Sequence, residues 1–425
     1  MPIGRIHIRT TNVKRGRDLL AVNSESGQPL HFGRPIKNKN DMEIIGRHFR
    51  TQTPLHLRWE HGLLTHLETV TVSKPSEVPW LAPGLVDVQV NGYGGIDFQQ
   101  PTLSRESLFQ AVRALRRDGC TRFLLTLVTQ EWHSLLEQVA RVRQIRESSP
   151  ELQHAILGFH VEGPFLSDQP GYRGAHDAAL MLDPTPERIQ MLHEAVHGLP
   201  TLLTLAPERP RSLEAIAHAV SLGMRVNLGH TDASSEILRE AVHRGATGLT
   251  HLGNACPQKL DRHDNILWRM LELPQVIAGI IPDGIHVSPA LFRIFHRAMN
   301  PQRIYYSTDA MAAAGASSGH YTIGSLAVEV GADGIVRQPG QENYAGSALS
   351  PFEGIRRASE MLRVSWTEVW QRFSEIPAAM IGATAKLEVG APADFCVLEE
   401  SERLGLQLRE VYARGQQTSP GASPS

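Results

Sequence analysis

Three side chains of this sequence are of types that bind a divalent cation, and each ends a hydrophobic run. Glu162 ends the run that begins at Ala155, and His230 and His251 end two later runs. One carboxylate and two imidazoles give three protein ligands and leave a coordination position open for water, as in a catalytic metal site. A single histidine among the 20 in the chain is more often a structural or surface residue. Two histidines that end consecutive predicted strands, with a glutamate that ends an earlier one, favour a ligand set.

A fourth candidate for chemistry is Asp309, which ends the last hydrophobic run. A metal ion lowers the pKa of water from about 16 to near 7 and polarises a carbonyl, but a hydrolase still needs a group that moves the proton. A carboxylate at this position can accept that proton and deliver it to the leaving group. The alternative is a helix N-cap, because Ala-Met-Ala-Ala follows. Other polar residues at or just after predicted strand ends are Asp87, Gln89, Asn91, His160, Glu208, Asp283 and His286.

The elements that must position these side chains are short runs rich in Val, Ile, Leu and Thr. Eight such runs are predicted strands, at about 84–91, 121–128, 154–161, 201–206, 224–229, 246–251, 276–281 and 303–308. Segments between them, such as 104–117 and 131–147, return an apolar residue every three or four positions, which is typical of amphipathic helices. This alternation predicts an α/β fold, a closed (β/α)8 TIM-type barrel. Active-site groups of such barrels lie at the carboxyl ends of the strands.

The flanks of the predicted barrel, which we place at residues 83–384, have a different pattern. Strand-like runs at 54–82 and 385–415 predict that both flanks pair into one small β-sandwich domain. Residues 1–53 are basic and polar with little periodicity, and we interpret them as a partly disordered extension or the product of a start codon assigned too early. A basic arm for an acidic partner is the alternative. The Ser-, Pro- and Gly-rich tail at 416–425 is predicted to be disordered.

Bulk properties exclude several classes of partner. The formal net charge of −2 indicates no bulk attraction to nucleic acid or acidic membranes. The three cysteines, Cys120, Cys256 and Cys396, are odd in number and far apart, which favours a reducing compartment over a disulfide framework. The sequence contains no apolar run of membrane-spanning length and no signal-peptide pattern. We therefore expect a cytoplasmic enzyme that acts on a small molecule.

Seven short motifs follow one another along the chain. They are Pro83-Gly-Leu-Val-Asp-Val-Gln-Val-Asn-Gly, His160-Val-Glu-Gly-Pro-Phe, Gly229-His-Thr-Asp-Ala, Thr250-His-Leu-Gly-Asn-Ala, Asp283-Gly-Ile-His-Val, Ser307-Thr-Asp-Ala-Met and Ala345-Gly-Ser. Over about residues 55–412 the chain thereby resembles the amidohydrolase superfamily and, within it, the N-acetylglucosamine-6-phosphate deacetylase family. The resemblance implies metal-dependent deacetylation of N-acetyl-D-glucosamine 6-phosphate to D-glucosamine 6-phosphate and acetate, a step of amino-sugar catabolism. It agrees with Glu162, His230 and His251 as ligands and with Asp309 as the catalytic acid and base.

The resemblance also implies residues that bind the substrate. By motif position, His176 polarises the acetamide carbonyl, and His286 contacts the substrate beside Asp283. The other positions that it implies for substrate binding are Asn254, Ala255, Arg262 and Gly346. Arg262 lies where the family has an arginine that binds phosphate in the neighbouring subunit, so a homodimer is implied.

The first strand departs from many members of the superfamily, which carry two histidines separated by one residue there. This chain has Gln89 and Asn91 instead, and neutral amides are poor ligands beside imidazole. The sequence therefore implies one metal ion per subunit, as in the members of the deacetylase family that share Gln-x-Asn. Zinc is the expected ion, and ferrous iron is the alternative that the ligand types leave open.

Two alternatives remain for the function. The loop at 256–265 differs from the family's usual sequence, and Gly253 stands where an aromatic residue is common, although Arg262 with Lys259 and His263 can still form an anion site. The substrate could therefore be another N-acyl amino sugar, such as N-acetylgalactosamine 6-phosphate. The second alternative is a catalytically silent barrel that binds a phosphosugar. The joint presence of a ligand set and a proton-transferring aspartate argues against a silent barrel.

Overall fold

The computed structural model describes residues 20–22, 29–31, 36–37, 42–340 and 344–418. These residues divide into two compact units, one at Val86–Ala383 and one formed by the flanks up to Leu85 and from Thr384 onward. Most of the predicted extension and residues 419–425 of the predicted tail lie outside the described residues. Among the helices of the described ranges, none combines the length and the low polarity that a membrane span requires.

Eight strands form the barrel sheet, and their order in the sheet is their order in the chain. They are Leu85–Val90 (β1), Cys120–Val128 (β2), Ile156–Glu162 (β3), Thr201–Leu205 (β4), Arg225–Leu228 (β5), Gly248–Leu249 (β6), Ile277–Ile280 (β7) and Ile304–Tyr306 (β8). The successive pairs from β2 to β8 are parallel. A parallel bridge between Val90 and Ala310 joins β1 to the chain that leaves β8. The predicted (β/α)8 barrel is therefore confirmed.

Helices of the barrel unit bury one side, as their sequence pattern predicts. In Arg105–Arg117 the buried residues include Leu108, Val112 and Leu115, whose spacing places them on one helix face. The Ser104 hydroxyl caps this helix by accepting a hydrogen bond from a backbone N–H of its first turn. The other α-helices are Trp132–Glu147, Pro150–Ala155, Pro186–Val196, Ser212–Ser221, Ser235–His243, Ile266–Leu271, Pro289–Ala298, Pro351–Leu362, Trp366–Val369 and Glu375–Met380.

The barrel core changes from apolar to polar along the strands. A buried cluster contains Val88, Leu124, Leu202 and Tyr305. Two residues farther along β2 and β4 the chain has the buried threonines Thr126 and Thr204. The Thr204 hydroxyl lies 2.8 Å from His160 Nε2 and 2.7 Å from Thr250 Oγ1. Burial lowers the pKa of His160 to about 4, so its ring is neutral at pH 7. A hydrogen-bonded polar layer thus lies just below the strand ends.

The second unit is built on one sheet to which both flanks contribute. Its strands, in sheet order, are Gln416–Thr418, Gly405–Ala413, Phe395–Ser401, Trp80–Pro83, Met42–His48, Pro54–Glu60 and Leu63–Thr69, and Ile36–Lys37 pairs with Met42–His48. Trp80–Pro83 pairs with Phe395–Ser401, so backbone hydrogen bonds join the N-terminal flank to the C-terminal flank. Trp59, Phe395 and Tyr412 pack ring against ring in the core of this unit.

Parts of this sheet lie where the sequence suggests an extension or a disordered tail. Met42–His48 is a central strand, although it falls within the predicted extension at 1–53. Ile44 and Ile45 are buried, whereas charged residues on both sides of them hide the strand pattern in the sequence. Gln416–Thr418, at the start of the predicted tail, pairs with Gly405–Ala413. Within the predicted extension, Leu20–Val22 pairs with Pro29–His31 in a separate two-stranded sheet.

A three-stranded antiparallel sheet after β8 was not expected from the sequence. Its strands are Gly319–Ile323, Leu326–Val330 and Val336–Arg337. Val328 and Val336 pack against Met311, which lies two residues after Asp309 in the chain. Asp97 accepts hydrogen bonds from the Thr322 hydroxyl at 3.0 Å and from Gly324 N at 2.8 Å. These contacts tie the added sheet to the segments that leave β1 and β8.

Candidate active site

The three predicted metal ligands lie together at the carboxyl ends of the strands. Glu162 is the last residue of β3, and His230 and His251 lie just after β5 and β6. Glu162 Oε1 is 2.8 Å from His251 Nε2 and 3.3 Å from His230 Nε2, and the two Nε2 atoms are 3.2 Å apart. All three side chains are buried. Within the part of the chain that the structure describes, this trio is the one group of three or more such side chains with ligand atoms so close together.

The backbone at the site is strained at three positions. His230, His251 and Asp309 have φ angles of 52°, 33° and 51°. Residues with a side chain rarely adopt this left-handed region, and the conformation costs on the order of 1 kcal/mol or more at each position. Each of the three lies two or three residues after the end of a barrel strand. Such strain persists where the surrounding structure imposes it, and it is concentrated at functional sites.

Hydrogen bonds prepare the trio for a cation. His230 Nδ1 lies 3.0 Å from the Tyr172 carbonyl, so Nδ1 donates its proton there and Nε2 keeps its lone pair. Burial alone would raise the pKa of Glu162, but its interactions with His230 and His251 hold that pKa well below its usual range. An ionised carboxylate oxygen and two imidazole nitrogens converging within 2.8–3.3 Å of one another fit the donor set of a divalent transition metal.

Asp309 lies beside the trio and is joined to it by an amide. Gln89 Nε2 donates to Glu162 Oε1 at 3.1 Å and to Asp309 Oδ1 at 3.0 Å. Asn91 Nδ2 donates to the same Asp309 oxygen at 2.7 Å. Both predicted amides of the first strand thus act as hydrogen-bond donors to carboxylates. Burial and the nearby charge of Glu162 raise the pKa of Asp309 to about 7, which suits a group that gains and loses a proton at neutral pH.

His176 lies against one of the ligands. Its ring centroid is 4.7 Å from that of His230, in an edge-to-face arrangement. Its Nδ1 lies 2.8 Å from the hydroxyl of Thr129, the residue directly after β2. Burial and the neighbouring His230 lower the pKa of His176 to about 3, so the ring is neutral at pH 7. The structure therefore places this predicted substrate residue next to the trio.

Two further predicted substrate residues lie near Asp309. His286 Nδ1 is 2.6 Å from Asp283 Oδ2, and Asp283 Oδ1 accepts a hydrogen bond from the His286 backbone N–H. His286 is also among the groups that act on the charge of Asp309, where it lowers the pKa. At Gly346 (φ 64°), a Cβ would lie 3.2 Å from the Asp309 carbonyl oxygen, so this glycine allows a close approach to the strand exit.

The remaining predicted substrate residues lie on the loop after β6. Asn254 Nδ2 donates to the His251 carbonyl at 3.2 Å, and Ala255 has a left-handed φ of 52°. Arg262 is exposed, and its carbonyl accepts a hydrogen bond from Trp268 Nε1 at 3.2 Å. Within the described ranges, no hydrogen bond or ion pair joins Arg262 to the trio. The structure thus brings together the trio, Asp309, Gln89, Asn91 and His176, but not Arg262.

Several contacts of the site were not recognised in the sequence. The Thr129 hydroxyl contacts His176 Nδ1, and the Tyr172 carbonyl contacts His230 Nδ1. Asp87 accepts hydrogen bonds from the Thr308 backbone N–H at 3.1 Å and from the Thr308 hydroxyl at 2.6 Å. These bonds join β1 to the residues that follow β8. The position of Thr129 directly after a predicted strand was the available signal, whereas a backbone carbonyl leaves no signature in a sequence.

Comparison with known proteins gives a consistent result. The model of the amidohydrolase family matches residues 80–416. The chain is 34% identical over 351 residues to N-acetylglucosamine-6-phosphate deacetylase of Bos taurus, a match that covers 79% of this chain and 82% of that protein. It is 29% identical over 369 residues to N-acetylgalactosamine-6-phosphate deacetylase of Escherichia coli O157:H7, covering 85% of this chain and 94% of that protein.

A solved structure agrees with this result. It is an aspartate-to-alanine variant of N-acetyl-D-glucosamine-6-phosphate deacetylase from Mycobacterium smegmatis in complex with N-acetyl-D-glucosamine-6-phosphate. The TM-score is 0.78 at 30% sequence identity, and the match covers 89% of this chain and 99% of that one. The likeness therefore extends over both units of the chain.

Proposed function

Because the chain belongs to the N-acetylglucosamine-6-phosphate deacetylase family of the amidohydrolase superfamily, we propose that it hydrolyses N-acetyl-D-glucosamine 6-phosphate to D-glucosamine 6-phosphate and acetate. The observation that carries this proposal is the convergence of Glu162, His230 and His251 beside Asp309. The trio can hold a cation, and Asp309 can move a proton. Together they supply what hydrolysis of an amide requires.

The trio would hold one divalent metal ion, with zinc as the expected ion and ferrous iron as the alternative. When bound, the ion supplies Lewis acidity, which lowers the pKa of water and polarises the acyl carbonyl. A single ion is supported by Gln89 and Asn91, whose amide nitrogens donate hydrogen bonds to Glu162 and Asp309. Their neutral amide oxygens are weaker ligands than the imidazoles that a second ion would need.

Asp309 would take a proton from the attacking water and deliver it to the nitrogen of the leaving amine. The two amides that donate to Oδ1 hold the carboxylate in one orientation. Burial and the nearby charge of Glu162 raise the pKa of Asp309, so its ionised form is basic enough to accept a proton. The same carboxyl group, once protonated, is acidic enough to protonate an amine as the carbon–nitrogen bond breaks.

Substrate binding would use the residues around this centre. Neutral His176 is placed beside His230 and can donate a hydrogen bond to the acyl oxygen. His286, held by Asp283, is close enough to Asp309 to lower its pKa, and it would contact the sugar. Asn254, Ala255 and Gly346 would line the remaining surface.

Phosphate recognition would depend on a second copy of the chain. Arg262 is exposed and, in the described part of this chain, forms no ion pair, so its guanidinium is available to an anion. We propose a homodimer in which Arg262 of one subunit contributes to the site of the other. We also propose that the enzyme acts in the cytoplasm, where its cysteines, which form no disulfide, would stay reduced.

A second candidate substrate is N-acetyl-D-galactosamine 6-phosphate. It is favoured by the likeness to a deacetylase of that sugar phosphate, at 29% identity. The loop after β6, which would read the sugar and the phosphate, also departs from the family's usual sequence. The catalytic trio and Asp309 would serve both substrates equally, so the choice depends on contacts to the sugar.

The test is acetate release by the metal-loaded enzyme from N-acetylglucosamine 6-phosphate, its galactosamine isomer and unphosphorylated N-acetylglucosamine. We expect the first to be turned over with the highest kcat/KM. Faster turnover of the isomer would move the substrate and keep the mechanism. No acetate from any of the three, with metal bound, would overturn the proposal.

A further inference from the structure

Thr129, the residue directly after β2, carries a hydroxyl that the proposed mechanism does not use. The Thr129 Oγ1 atom lies 2.8 Å from His176 Nδ1, within hydrogen-bond distance. The two residues are 47 positions apart in the chain, so this contact is a product of the fold and not of a local turn. Among the described residues, Thr129 is the one hydrogen-bond partner of the His176 ring. The bond uses Nδ1, so Nε2 remains available to a substrate.

The place of this hydroxyl is fixed by the backbone next to the metal trio. Gly163 directly follows Glu162 and has a φ of 94°. A Cβ atom at Gly163 would lie 2.1 Å from Thr129 Oγ1, a distance that no side chain could tolerate. The missing side chain at Gly163 therefore makes the room that the Thr129 hydroxyl occupies, between the exit of β3 and the ring of His176.

The chemistry of imidazole gives this contact a consequence. A neutral imidazole carries one proton, on either Nδ1 or Nε2, and the nitrogen without it can only accept a hydrogen bond. The Thr129 hydroxyl can donate to Nδ1, and with that bond formed the ring proton is on Nε2. Only that tautomer can donate from Nε2 to a carbonyl oxygen. The ring of His230 packs edge to face against His176 at 4.7 Å, which restrains the ring in the same orientation.

We propose that Thr129 is a positioning residue, which holds His176 in the Nε2–H tautomer so that Nε2 can donate to the acyl oxygen of the substrate. This inference rests on the proposed function of His176 and extends it to a residue that acts through the His176 ring. The donor would be set before the substrate arrives, so no reorganisation is needed as negative charge develops on the acyl oxygen.

The first test reads the tautomer without any substrate. In zinc-loaded enzyme labelled with ¹⁵N-histidine, the His176 resonances are those that disappear in His176→Ala. We expect wild type and Thr129→Ser to show a protonated Nε2 and an unprotonated Nδ1, and Thr129→Val to show a mixture of both tautomers. A protonated Nδ1 in wild type, or an unchanged tautomer in Thr129→Val, would overturn the proposal.

The second test reads the consequence for catalysis. We expect Thr129→Val to lower kcat by about 10–100-fold, the usual effect of losing the partner that orients a functional histidine. KM should change less than kcat, the metal content should stay at the wild-type value, and Thr129→Ser should recover most of the rate. In a His176→Ala background, Thr129→Val should cost little more, because the residue acts through His176.

A full additional loss in the His176→Ala background would overturn the positioning role and leave only a packing role for Thr129. The two tests also separate this inference from the proposed function. Absence of acetate release by the wild type would refute the proposed function, whereas the tautomer measurement would still decide what Thr129 does to His176.

Discussion

The sheet formed by the two flanks and the barrel both bury histidine beside carboxylates. Among the described residues, only in the barrel do two buried histidines meet at one carboxylate oxygen. In the sheet, His56 is 2% exposed and divides its ring between two acids, with Nε2 2.9 Å from Glu43 and Nδ1 3.4 Å from Glu68. Arg58 neutralises Glu43 at 3.0 Å. In the barrel, the Nε2 atoms of both His230 and His251 converge on one oxygen of Glu162.

The difference lies in geometry and charge, not in residue types. In the sheet cluster both carboxylates are already stabilised, because Glu43 is paired with Arg58 and Glu68 is 44% exposed to solvent. The barrel cluster buries Glu162 and Asp309 together, and among the described residues neither forms an ion pair with a lysine or an arginine. Two buried carboxylates without such a partner favour a bound cation and a shared proton. Convergence with uncompensated charge, and not the presence of histidine and glutamate, therefore distinguishes the candidate metal site.

The largest effect is expected from removing a ligand. His230→Ala should empty the metal site and lower kcat/KM by more than the roughly 10–100-fold that loss of a ligand's hydrogen-bond partner costs. The matched control is His56→Ala in the sheet, which should keep both metal and activity. Metal analysis of the two purified variants together with acetate release measures this. A stoichiometric ion in His230→Ala, or metal loss in His56→Ala, would refute the assignment of the ligands.

The second largest effect is expected from replacing Asp309, the group that transfers the proton. Asp309→Asn keeps the shape of the side chain but cannot accept a proton, so kcat should fall on the order of 10²–10⁴-fold. The metal content should remain near that of wild type, because Asp309 is not one of the trio. Single-turnover acetate release on metal-loaded protein is the measurement. Full activity would remove Asp309 from the mechanism.

A smaller effect is expected at the exposed arginine. Arg262→Ala should raise KM for the phosphorylated sugar by about 10–100-fold, since a hydrogen bond to a charged group contributes roughly 1.5–3 kcal/mol. The unphosphorylated sugar should be affected much less. Arg58→Ala is the control, because Arg58 is already paired with Glu43 in the sheet. Equal effects of Arg262→Ala on both sugars would show that this loop does not read phosphate.

The smallest effects are opposite pH dependences of stability in the two clusters. In metal-free enzyme, burial and Glu162 raise the pKa of Asp309 from 3.8 to about 7, so the protonated form favours folding. The stability that Asp309 contributes is present below about pH 4 and is lost as the pH rises through 7. As the pH rises over that range, the Tm of wild type should therefore fall relative to the Tm of Asp309→Asn.

Glu68 should behave in the opposite way. Burial would raise the pKa of Glu68, but hydrogen bonds from His66 and His56 lower it below 4.5. Its contribution is therefore present above pH 4.5 and is lost as the pH falls further. Because the side chain is half exposed, Glu68→Gln should lower Tm by only about 1–2 °C near pH 6 and by less near pH 3. Thermal unfolding followed by circular dichroism tests both residues, and slopes of the same sign would contradict this account.

Much of the barrel could be predicted because its strands are buried on both faces. Their continuous apolar runs stand out in the sequence, and the predicted run at 121–128 corresponds to Cys120–Val128. Since parallel strands bring their carboxyl ends to one rim, the approximate position of Glu162, His230 and His251 followed from their place in the chain. The 2.8–3.3 Å separations of their ligand atoms did not, because they depend on left-handed backbone at His230 and His251.

Other features depend on contacts between distant residues and could not be predicted. Met42–His48 has charged and polar residues around its buried isoleucines, so only its pairing partners make it a strand. The contact of Thr129 with His176 spans 47 positions and has no periodic signature. The support of His230 by the Tyr172 carbonyl is a backbone contact, which no residue type encodes.

The most direct test of the central claim is to titrate metal-free enzyme with zinc, and separately with ferrous iron under anaerobic conditions, while acetate release from N-acetylglucosamine 6-phosphate is measured. If the barrel cluster is a single cation site that drives hydrolysis, activity should rise linearly with added metal and reach its plateau at one ion per chain. A plateau at two ions would contradict the single site, and full activity without metal would contradict the claim that the trio acts by holding a cation.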